Sequence, residues 1–328
     1  MKAIVCPTYG SPDVLEFREV PKPTPEDDEV LVKIHAAGVN AGDWHLMRAD
    51  PFLIRLAFGL TKPKHPILGG DLAGQIEAVG RNVTQFHVGD AVFGSSARFG
   101  AFAEYAAVPE SALVSKPANM TFEQAAAVPT AAVTALQGLR EHGRIQAGQE
   151  VLINGASGGV GSFAVQIAKA LGAEVTGVCS TSKLDMVRSL GVDHVIDYTV
   201  EDFTDRGRQY DLILGVGGYY PVASYRRALK PEGVYVMTGG ETRQMFETMF
   251  LGSLLSMTGS KKMTNYMVKS NQDDLVFVQG LLEAGKVRPV VDRSYSLREV
   301  PAAIRDLEAG RAKGKLVIHV APGQELQA

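Results

Sequence analysis

The sequence has few cysteines, no excess of one charge and a single tryptophan. Its two cysteines among 328 residues, Cys6 and Cys179, cannot form a disulfide framework or complete a structural zinc set, so a reducing compartment is expected. The 33 basic and 36 acidic residues leave a net charge of -3, without the basic excess that nucleic acids or anionic membranes attract. We therefore expect a small-molecule partner and no nucleic acid.

Long apolar runs are also missing. Met1 leads directly into the strand-like run Lys2–Val5, with no apolar signal region or cleavage site after it. No segment reaches the roughly 18 uninterrupted apolar residues of a membrane span. These absences predict a cytoplasmic protein that does not span a membrane.

The pattern of apolar residues changes along the chain. In the first third, glycines separate short β-rich runs such as EVLVKIH (29–35) and GQIEAV (74–79), which predicts a partly open β-barrel. From about Thr121, a helix over 122–139 is followed by alternating strands and helices, which is typical of a doubly wound parallel sheet. The last segment ends in a strand over 315–320 that we expect to return to the first domain. The predicted domains are residues 1–121, 122–263 and 264–328.

A glycine-rich turn, GASGGVG (155–161), lies between a predicted strand over 150–154 and a predicted helix over 162–171. Such a turn lets backbone N–H groups at the helix N-terminus approach a pyrophosphate. The alternative is a turn that serves only helix–sheet packing. We predict a dinucleotide site whose loop residues are Ala156, Ser157, Gly158, Gly159 and Val160.

The residues after the second strand of this unit indicate which dinucleotide binds. An NAD site carries an acid there to accept a hydrogen bond from the ribose 2′-hydroxyl, whereas this chain has Cys179-Ser180-Thr181-Ser182-Lys183. Ser180 and Lys183 can donate to a 2′-phosphate, so the sequence predicts NADPH. The alternative is that Ser182 caps a helix and Lys183 is solvated.

The order of these parts resembles the medium-chain dehydrogenase/reductase superfamily, and specifically its zinc-free quinone oxidoreductase-like branch. The resemblance covers about residues 1–320 and implies a GroES-like β-rich domain followed by a Rossmann domain. Members are commonly homodimers joined edge to edge through their α/β sheets. The motifs that carry the resemblance are GVNAGD (38–43), LGGDLAG (68–74), VGDAVFG (88–94), AAAVP (125–129) and the glycine-rich turn.

The resemblance also implies that no metal is bound. Zinc alcohol dehydrogenases carry a cysteine, a histidine and a further cysteine where this chain has Asn40, Gly70 and, approximately, Thr130. Neither asparagine nor glycine supplies the thiolate or imidazole that zinc prefers. None of the seven histidines forms a pair with ligand-like helical spacing.

Without zinc, charge on an alkoxide has no Lewis acid to stabilise it, so a conjugated acceptor is implied. The zinc-free branch includes NADPH-dependent reductases of quinones and α,β-unsaturated carbonyls, and this is the predicted function, with a small hydrophobic acceptor. One alternative is a zinc-free reductase or dehydrogenase of another carbonyl or alcohol. A second is an NADPH-binding structural or sensing protein with negligible turnover.

Residue roles follow from the same resemblance. Asn40 matches an asparagine beside the nicotinamide, and the alternative for it is loop bracing. It forms an Asn-x-x-Asp unit with Asp43, and both are candidate catalytic residues. His45 is a candidate proton donor because the loop over 44–52 lacks the tyrosines of many quinone reductases; a packing role is the alternative. Thr134 matches a threonine at the nicotinamide carboxamide, and capping a helix turn is the alternative.

Further cofactor contacts are implied near strand ends. Gly215 stands where many members have aspartate, which predicts free space beside the nicotinamide ribose. Two apolar segments, 52–60 and 245–257, are candidates to line the acceptor pocket, with core or interface packing as the alternative. The remaining implied cofactor contacts are Tyr198, Gly217, Gly239 and Lys315, the last of which could instead be a solvated residue of a basic turn.

Overall fold

The computed structural model describes residues 1–96, 98–205, 207–240, 242–252 and 259–320. The chain forms two compact units. The first unit contains Met1–Thr130, Ser270–Gln279 and Pro289–Ala328, and the second contains Ala131–Lys269 and Gly280–Arg288. Each unit is therefore assembled from segments that are distant in the sequence.

Strands and helices both contribute to the fold. The strands are β1 (Lys2–Val5), β2 (Glu16–Glu19), β3 (Glu29–Val39), β4 (Asp71–Val79), β5 (Ala91–Ser95), β6 (Tyr105–Pro109), β7 (Leu113–Ser115), β8 (Glu150–Asn154), β9 (Glu174–Cys179), β10 (His194–Asp197), β11 (Tyr210–Gly215), β12 (Leu229–Met237), β13 (Lys262–Asn265), β14 (Val291–Ser296) and β15 (Lys315–His319). The helices are α1 (Ala41–Arg48), α2 (Ile54–Phe58), α3 (Phe122–Ala126), α4 (Pro129–Gln137), α5 (Gly159–Ala170), α6 (Leu184–Ser189), α7 (Val222–Ala228), α8 (Thr242–Glu247), α9 (Gln272–Glu283) and α10 (Val300–Glu308).

The first unit is organised by a seven-stranded sheet. Its strand order is β14-β15-β3-β4-β5-β7, with β6 also paired to β3. Strand β3 is buried along almost its whole length because it has neighbours on both sides and lies at the centre of the core. The last strand, β15, pairs antiparallel with the end of β3, with Leu316 opposite Val39. This pairing brings the start of β15 to the residues that follow β3.

The second unit contains a six-stranded parallel sheet in the order β10-β9-β8-β11-β12-β13. From β8 the chain goes outward to β9 and β10, and then returns to β11 on the other side of β8. Such a reversal places a ligand crevice at the carboxyl ends of the two central strands. The alternation of strands and helices predicted this doubly wound architecture, and the fold class is confirmed.

The helix predicted over 122–139 is wrong as a single element. α3 starts at a Thr121 capping box with Gln124, as the sequence indicated, but it ends at Ala126, and α4 begins at Pro129. Proline has no N–H and restricts the residue before it, so it begins a new helix instead of continuing the old one. The break gives Thr130 an N–H in the first turn of α4, where no helical carbonyl can accept from it.

Two other features bear on the sequence predictions. The apolar segment 245–257 falls partly outside the described residues, since 253–258 are not among them; residues 242–252 form α8 and a π-helical turn. Within the described part of the chain, no helix is both long and apolar enough to cross a membrane.

Candidate active site

The glycine-rich turn joins β8 to α5, and its glycines have different structural roles. Gly155 has a φ of +89°, which favours glycine. A Cβ at Gly161 would lie 2.0 Å from the Gly155 carbonyl oxygen, so this glycine allows the turn to pack on α5. A Cβ at Gly158, by contrast, would meet no atom closer than 3.6 Å. Backbone conformation therefore explains the glycine at 155, and packing explains the glycine at 161. Neither explains why residue 158 is a glycine.

The predicted loop residues divide by exposure. Ala156 and Ser157 are buried, at 0% and 7% exposed. Gly158, Gly159 and Val160 are half-buried at the start of α5. Backbone N–H groups and the helix dipole at such a position attract a phosphate, so these three residues are the ones that fit a dinucleotide.

The end of β9 has the exposure that a phosphate site needs. Ser180 and Lys183 are half-buried, and Ser182 lies inside a 3-10 turn, Thr181–Lys183, instead of capping a helix. An acid that the sequence reasoning missed lies at the end of the neighbouring strand. Asp197 accepts hydrogen bonds from the hydroxyls of Thr181 and Thr199, which together hold the pKa of this carboxyl below its ordinary value.

The end of β11 differs from the expectation. The sequence predicted free space at Gly215, but a Cβ there would lie 2.8 Å from the Tyr235 hydroxyl oxygen, so that side chain already fills the space. Tyr235 stacks on Tyr225, with 4.2 Å between ring centroids. Asn154, at the end of β8, donates to the Tyr225 hydroxyl at 2.7 Å and to the Gly217 carbonyl at 2.9 Å. The predicted contact residue Gly217 is therefore held in place from β8.

Three other predicted cofactor residues occupy different environments. Thr134 is 5% exposed within α4, and its carbonyl accepts a hydrogen bond from the Tyr266 hydroxyl. Gly239 packs closely on the end of β11, since a Cβ there would lie 2.4 Å from the Val216 carbonyl oxygen. Tyr198 is 54% exposed. Of the three, Tyr198 is the most accessible to a ligand.

The first unit brings Asn40, Asp71, Thr130 and Lys315 into one polar network. The Asn40 Nδ2 group donates to Asp71 Oδ2 at 2.9 Å. The Thr130 hydroxyl also donates to Asp71. The Thr130 N–H donates to the same carboxylate, with 3.1 and 3.2 Å between its nitrogen and the two oxygens. The Lys315 ammonium donates to Asn40 Oδ1 and to the Val39 carbonyl, and it lies 4.0 Å from Asp71.

The charged members of this network are buried, and burial shifts the pKa of Lys315 and of the neighbouring Asp43. Lys315 is 3% exposed, which excludes a solvated basic turn. Burial lowers the pKa of Lys315, while the carboxylates of Asp71 and Asp43 oppose that shift. Burial raises the pKa of Asp43 to about 7, the nearby Asp71 adds to the increase, and a hydrogen bond from the Asn40 N–H at 2.8 Å opposes it. Asp43 is 2% exposed, so it braces the start of α1 from inside.

His45 lies on α1, one turn after Asn40. Its Nδ1 donates to the Asp50 carbonyl at 2.7 Å, because a carbonyl can only accept, and its ring stacks on Trp44 with 3.6 Å between centroids. These contacts brace the turn after α1. They leave Nε2 as the ring nitrogen that could exchange a proton with a ligand.

The positions that correspond to zinc ligands lie close together in this chain but carry other chemistry. Asn40 and Thr130 both donate to Asp71, and the Lys315 cation completes the group. Amide, hydroxyl and ammonium groups are poor zinc ligands. Among the residues that the structure describes, no group of three or more histidine, cysteine, aspartate or glutamate side chains could hold a metal ion.

The apolar segment 52–60, a candidate to line the acceptor pocket, forms α2 and its flanks. Four of its side chains are strongly exposed, between 65% and 68%: Phe52, Leu53, Leu56 and Leu60. Phe58 faces a small, mainly apolar pocket. The pocket is also lined by Tyr9, Leu46, Pro63, His65, Leu68 and Phe99.

Comparison with known proteins is consistent with this geometry. Residues 26–118 match the family described as "Alcohol dehydrogenase GroES-like domain", and residues 190–318 match "Zinc-binding dehydrogenase". A tomato protein named 2-methylene-furan-3-one reductase is 37% identical over 98% of this chain and 80% of its own length. An Arabidopsis thaliana protein named NADPH-dependent alkenal/one oxidoreductase, chloroplastic, is 34% identical over the same shares. The solved quinone oxidoreductase of Coxiella burnetii is 29% identical, with a TM-score of 0.86 over 98% of this chain and 99% of that one.

The names of the relatives contradict the predicted cytoplasmic location. The Arabidopsis relative is named chloroplastic, and a bovine relative, 32% identical over 98% of this chain and 89% of its own length, is named a mitochondrial NAD(P)H oxidoreductase. Two buried free cysteines indicate a reducing environment, but they do not distinguish the cytosol from the interior of an organelle.

Three findings indicate the same family: the architecture of each unit, the glycine-rich turn at the switch point and the extent of these matches. The chain belongs to the medium-chain dehydrogenase/reductase superfamily of nicotinamide-dependent oxidoreductases, in its quinone-oxidoreductase-like branch.

Proposed function

We propose that the protein transfers hydride from NADPH to a quinone or an α,β-unsaturated carbonyl. The observation that carries the proposal is the hydrogen bonding of the half-buried Asn40, whose carboxamide contacts a buried acid and a buried lysine. The names of the tomato, Arabidopsis and Coxiella proteins support this choice of substrate class.

The residues of the second unit fit the cofactor. The position of Gly158, where a side chain would be tolerated by the protein alone, supports a ligand that needs the space. When bound, NADPH supplies the hydride. Ser180 and Lys183 are proposed to donate to its 2′-phosphate. The Asp197 carboxylate already accepts from the Thr181 and Thr199 hydroxyls, and we propose that it does not accept from a ribose 2′-hydroxyl. Preference for NADPH over NADH is expected because each such charge-assisted bond is worth about 1.5–3 kcal/mol.

The residues of the first unit fit the acceptor. Hydride addition to a conjugated carbonyl places negative charge on its oxygen, and one well-placed hydrogen-bond donor stabilises that charge by roughly 2.7–4 kcal/mol. We propose the Asn40 amide as that donor. Asp43 and His45 are then positioning residues of α1, and the proton that completes the reduction comes from solvent. The strongly exposed apolar side chains of Phe52, Leu53, Leu56 and Leu60 support a hydrophobic acceptor.

We propose that this chemistry needs no zinc, because Asn40, Gly70 and Thr130 offer neither thiolate nor imidazole. We also propose a homodimer. The sheet of the second unit ends in β13, and a strand at the edge of a sheet can pair with a second copy. Light scattering at micromolar protein should give twice the mass of the chain, and the mass of a single chain would refute the dimer.

The test of function is NADPH consumption by purified protein with a hydrophobic ortho-quinone and a linear enone as parallel acceptors. Turnover with either acceptor, unchanged by a chelator, is the expected result. Loss of turnover with the chelator would refute the zinc-free proposal. Saturable NADPH binding without turnover on any acceptor would refute reduction and favour a binding or sensing role.

A further inference from the structure

The Asn40 side chain is held at both ends. Its Oδ1 accepts from the Lys315 ammonium, and its Nδ2 donates to Asp71 at 2.9 Å. An ammonium can only donate and an ionised carboxylate can only accept. The two partners therefore determine which end of the carboxamide carries oxygen and which carries nitrogen.

The contacts of Lys315 lie within this network. Its ammonium donates hydrogen bonds to the Val39 carbonyl and to Asn40 Oδ1, and the Asp71 carboxylate lies 4.0 Å away as an ion-pair partner. With 3% of the residue exposed, the charge lies in the interior, where an unpaired ammonium would be strongly destabilising. A direct contact of Lys315 with the cofactor would require it to leave these partners.

Among Asn40, Asp71 and Lys315, Asn40 is the most exposed residue. It is half-buried, whereas Asp71 and Lys315 are 0% and 3% exposed. Asp71 engages one of the two N–H groups of the Asn40 carboxamide. Asp71 does not engage the second N–H, which can therefore donate to an oxygen of a bound molecule.

We propose that Lys315 is a positioning residue which, together with Asp71, orients the Asn40 carboxamide. In this orientation its N–H donates a hydrogen bond to the carbonyl oxygen of the substrate that accepts the hydride. This inference rests on the proposed function. Without Lys315, only the Asp71 contact would still oppose rotation of the carboxamide, and half a turn would present its oxygen to the acceptor. An oxygen there would repel the negative charge that develops on the acceptor instead of stabilising it.

The kinetic test compares Lys315→Met with Lys313→Met, a matched control because Lys313 is exposed two residues earlier on the same segment. Removal of one oxyanion donor costs about 10²–10³ in kcat, so a misoriented donor should cost about 10- to 100-fold. We expect Lys315→Met to lower kcat by this factor without changing the KM for NADPH. Lys313→Met should match the wild type. Wild-type kcat in folded Lys315→Met would overturn the proposal.

A double variant separates orientation from stability. Lys315→Met leaves the Asp71 carboxylate buried without its cation, which lowers stability whatever the role of Asn40. Adding Asp71→Asn removes that charge, so thermal stability should largely recover, but neither partner then dictates the orientation of Asn40. We expect kcat to stay low in the double variant. Recovery of kcat in parallel with thermal stability would show that Lys315 is only structural.

An NMR measurement tests the orientation without turnover. In protein labelled with ¹⁵N-asparagine, the side-chain amide signals of Asn40 are assigned by their loss in Asn40→Ser. We expect slow solvent exchange of these signals in the wild type and fast exchange in Lys315→Met; equal exchange would overturn the proposal. A wild-type protein that reduces neither quinone nor enone would refute the proposed function, while the amide signals would still decide whether Lys315 holds Asn40.

Discussion

Two alanine substitutions in the same turn separate cofactor binding from packing. Gly161 faces the Gly155 carbonyl oxygen, 2.0 Å from the position of a Cβ, whereas Gly158 has 3.6 Å of clearance. Gly158 also has φ -82° and ψ 177°, which alanine adopts without strain. We therefore expect Gly161→Ala to affect the fold and Gly158→Ala to affect cofactor binding.

The magnitudes follow from these distances. An oxygen atom 2.0 Å from a methyl carbon must move by more than an ångström, and such overpacking typically costs about 1–3 kcal/mol. For units of this size the loss corresponds to a fall in Tm of roughly 2–12 °C. A methyl group at Gly158 that displaces one backbone hydrogen bond to a pyrophosphate should cost about 1.5–3 kcal/mol of binding, or roughly a 10- to 150-fold rise in the Kd for NADPH.

The assay pairs thermal unfolding of the cofactor-free protein with NADPH titration followed by the fluorescence of the bound nicotinamide. Gly158→Ala should unfold within a few degrees of the wild type, because losing a glycine at the helix N-cap costs at most about 1 kcal/mol. Its Kd for NADPH should rise as calculated. Wild-type NADPH affinity in Gly158→Ala would refute the pyrophosphate site, and a wild-type Tm in Gly161→Ala would refute the packing argument.

Three further predictions concern other residues. Lys183→Ala should raise the Kd for NADPH about tenfold and leave that for NADH unchanged; equal effects in the two titrations would remove Lys183 from 2′-phosphate recognition. Asp43 keeps its proton in the folded protein up to about pH 7, whereas in the unfolded chain it ionises near pH 4, so wild-type stability should fall between these values as the pH rises. Asp43→Asn should flatten this decline in Tm, and identical slopes for the two proteins would contradict a protonated Asp43. His45→Ala should keep kcat within about threefold of the wild type, because the proton is proposed to come from solvent. Removal of a general acid would instead lower kcat roughly 10²-fold or more. A loss of that size would restore His45 as the proton donor.

Local sequence patterns determined the architecture of each unit. The alternation of strands and helices, the Thr121 capping box and the turn before α5 depend on residues that are neighbours in the chain, so periodicity and turn chemistry are enough to find them. The break in the helix predicted over 122–139 was also readable, since Pro129 marks it. Family resemblance added Asn40 as a candidate active-site residue and Lys315 as a candidate cofactor contact.

Only the tertiary structure decided what surrounds Asn40. Asp71 is 31 residues away in the chain and Lys315 is 275, and they meet Asn40 because β4 and β15 flank β3. The Tyr235 hydroxyl that fills the space at Gly215 depends in the same way on the pairing of β11 with β12. Strand pairing joins residues without any local signal in the sequence. The sequence alone therefore determined the fold class and the turn that fits a dinucleotide, whereas the register of the sheets decided which buried charges orient the candidate catalytic amide.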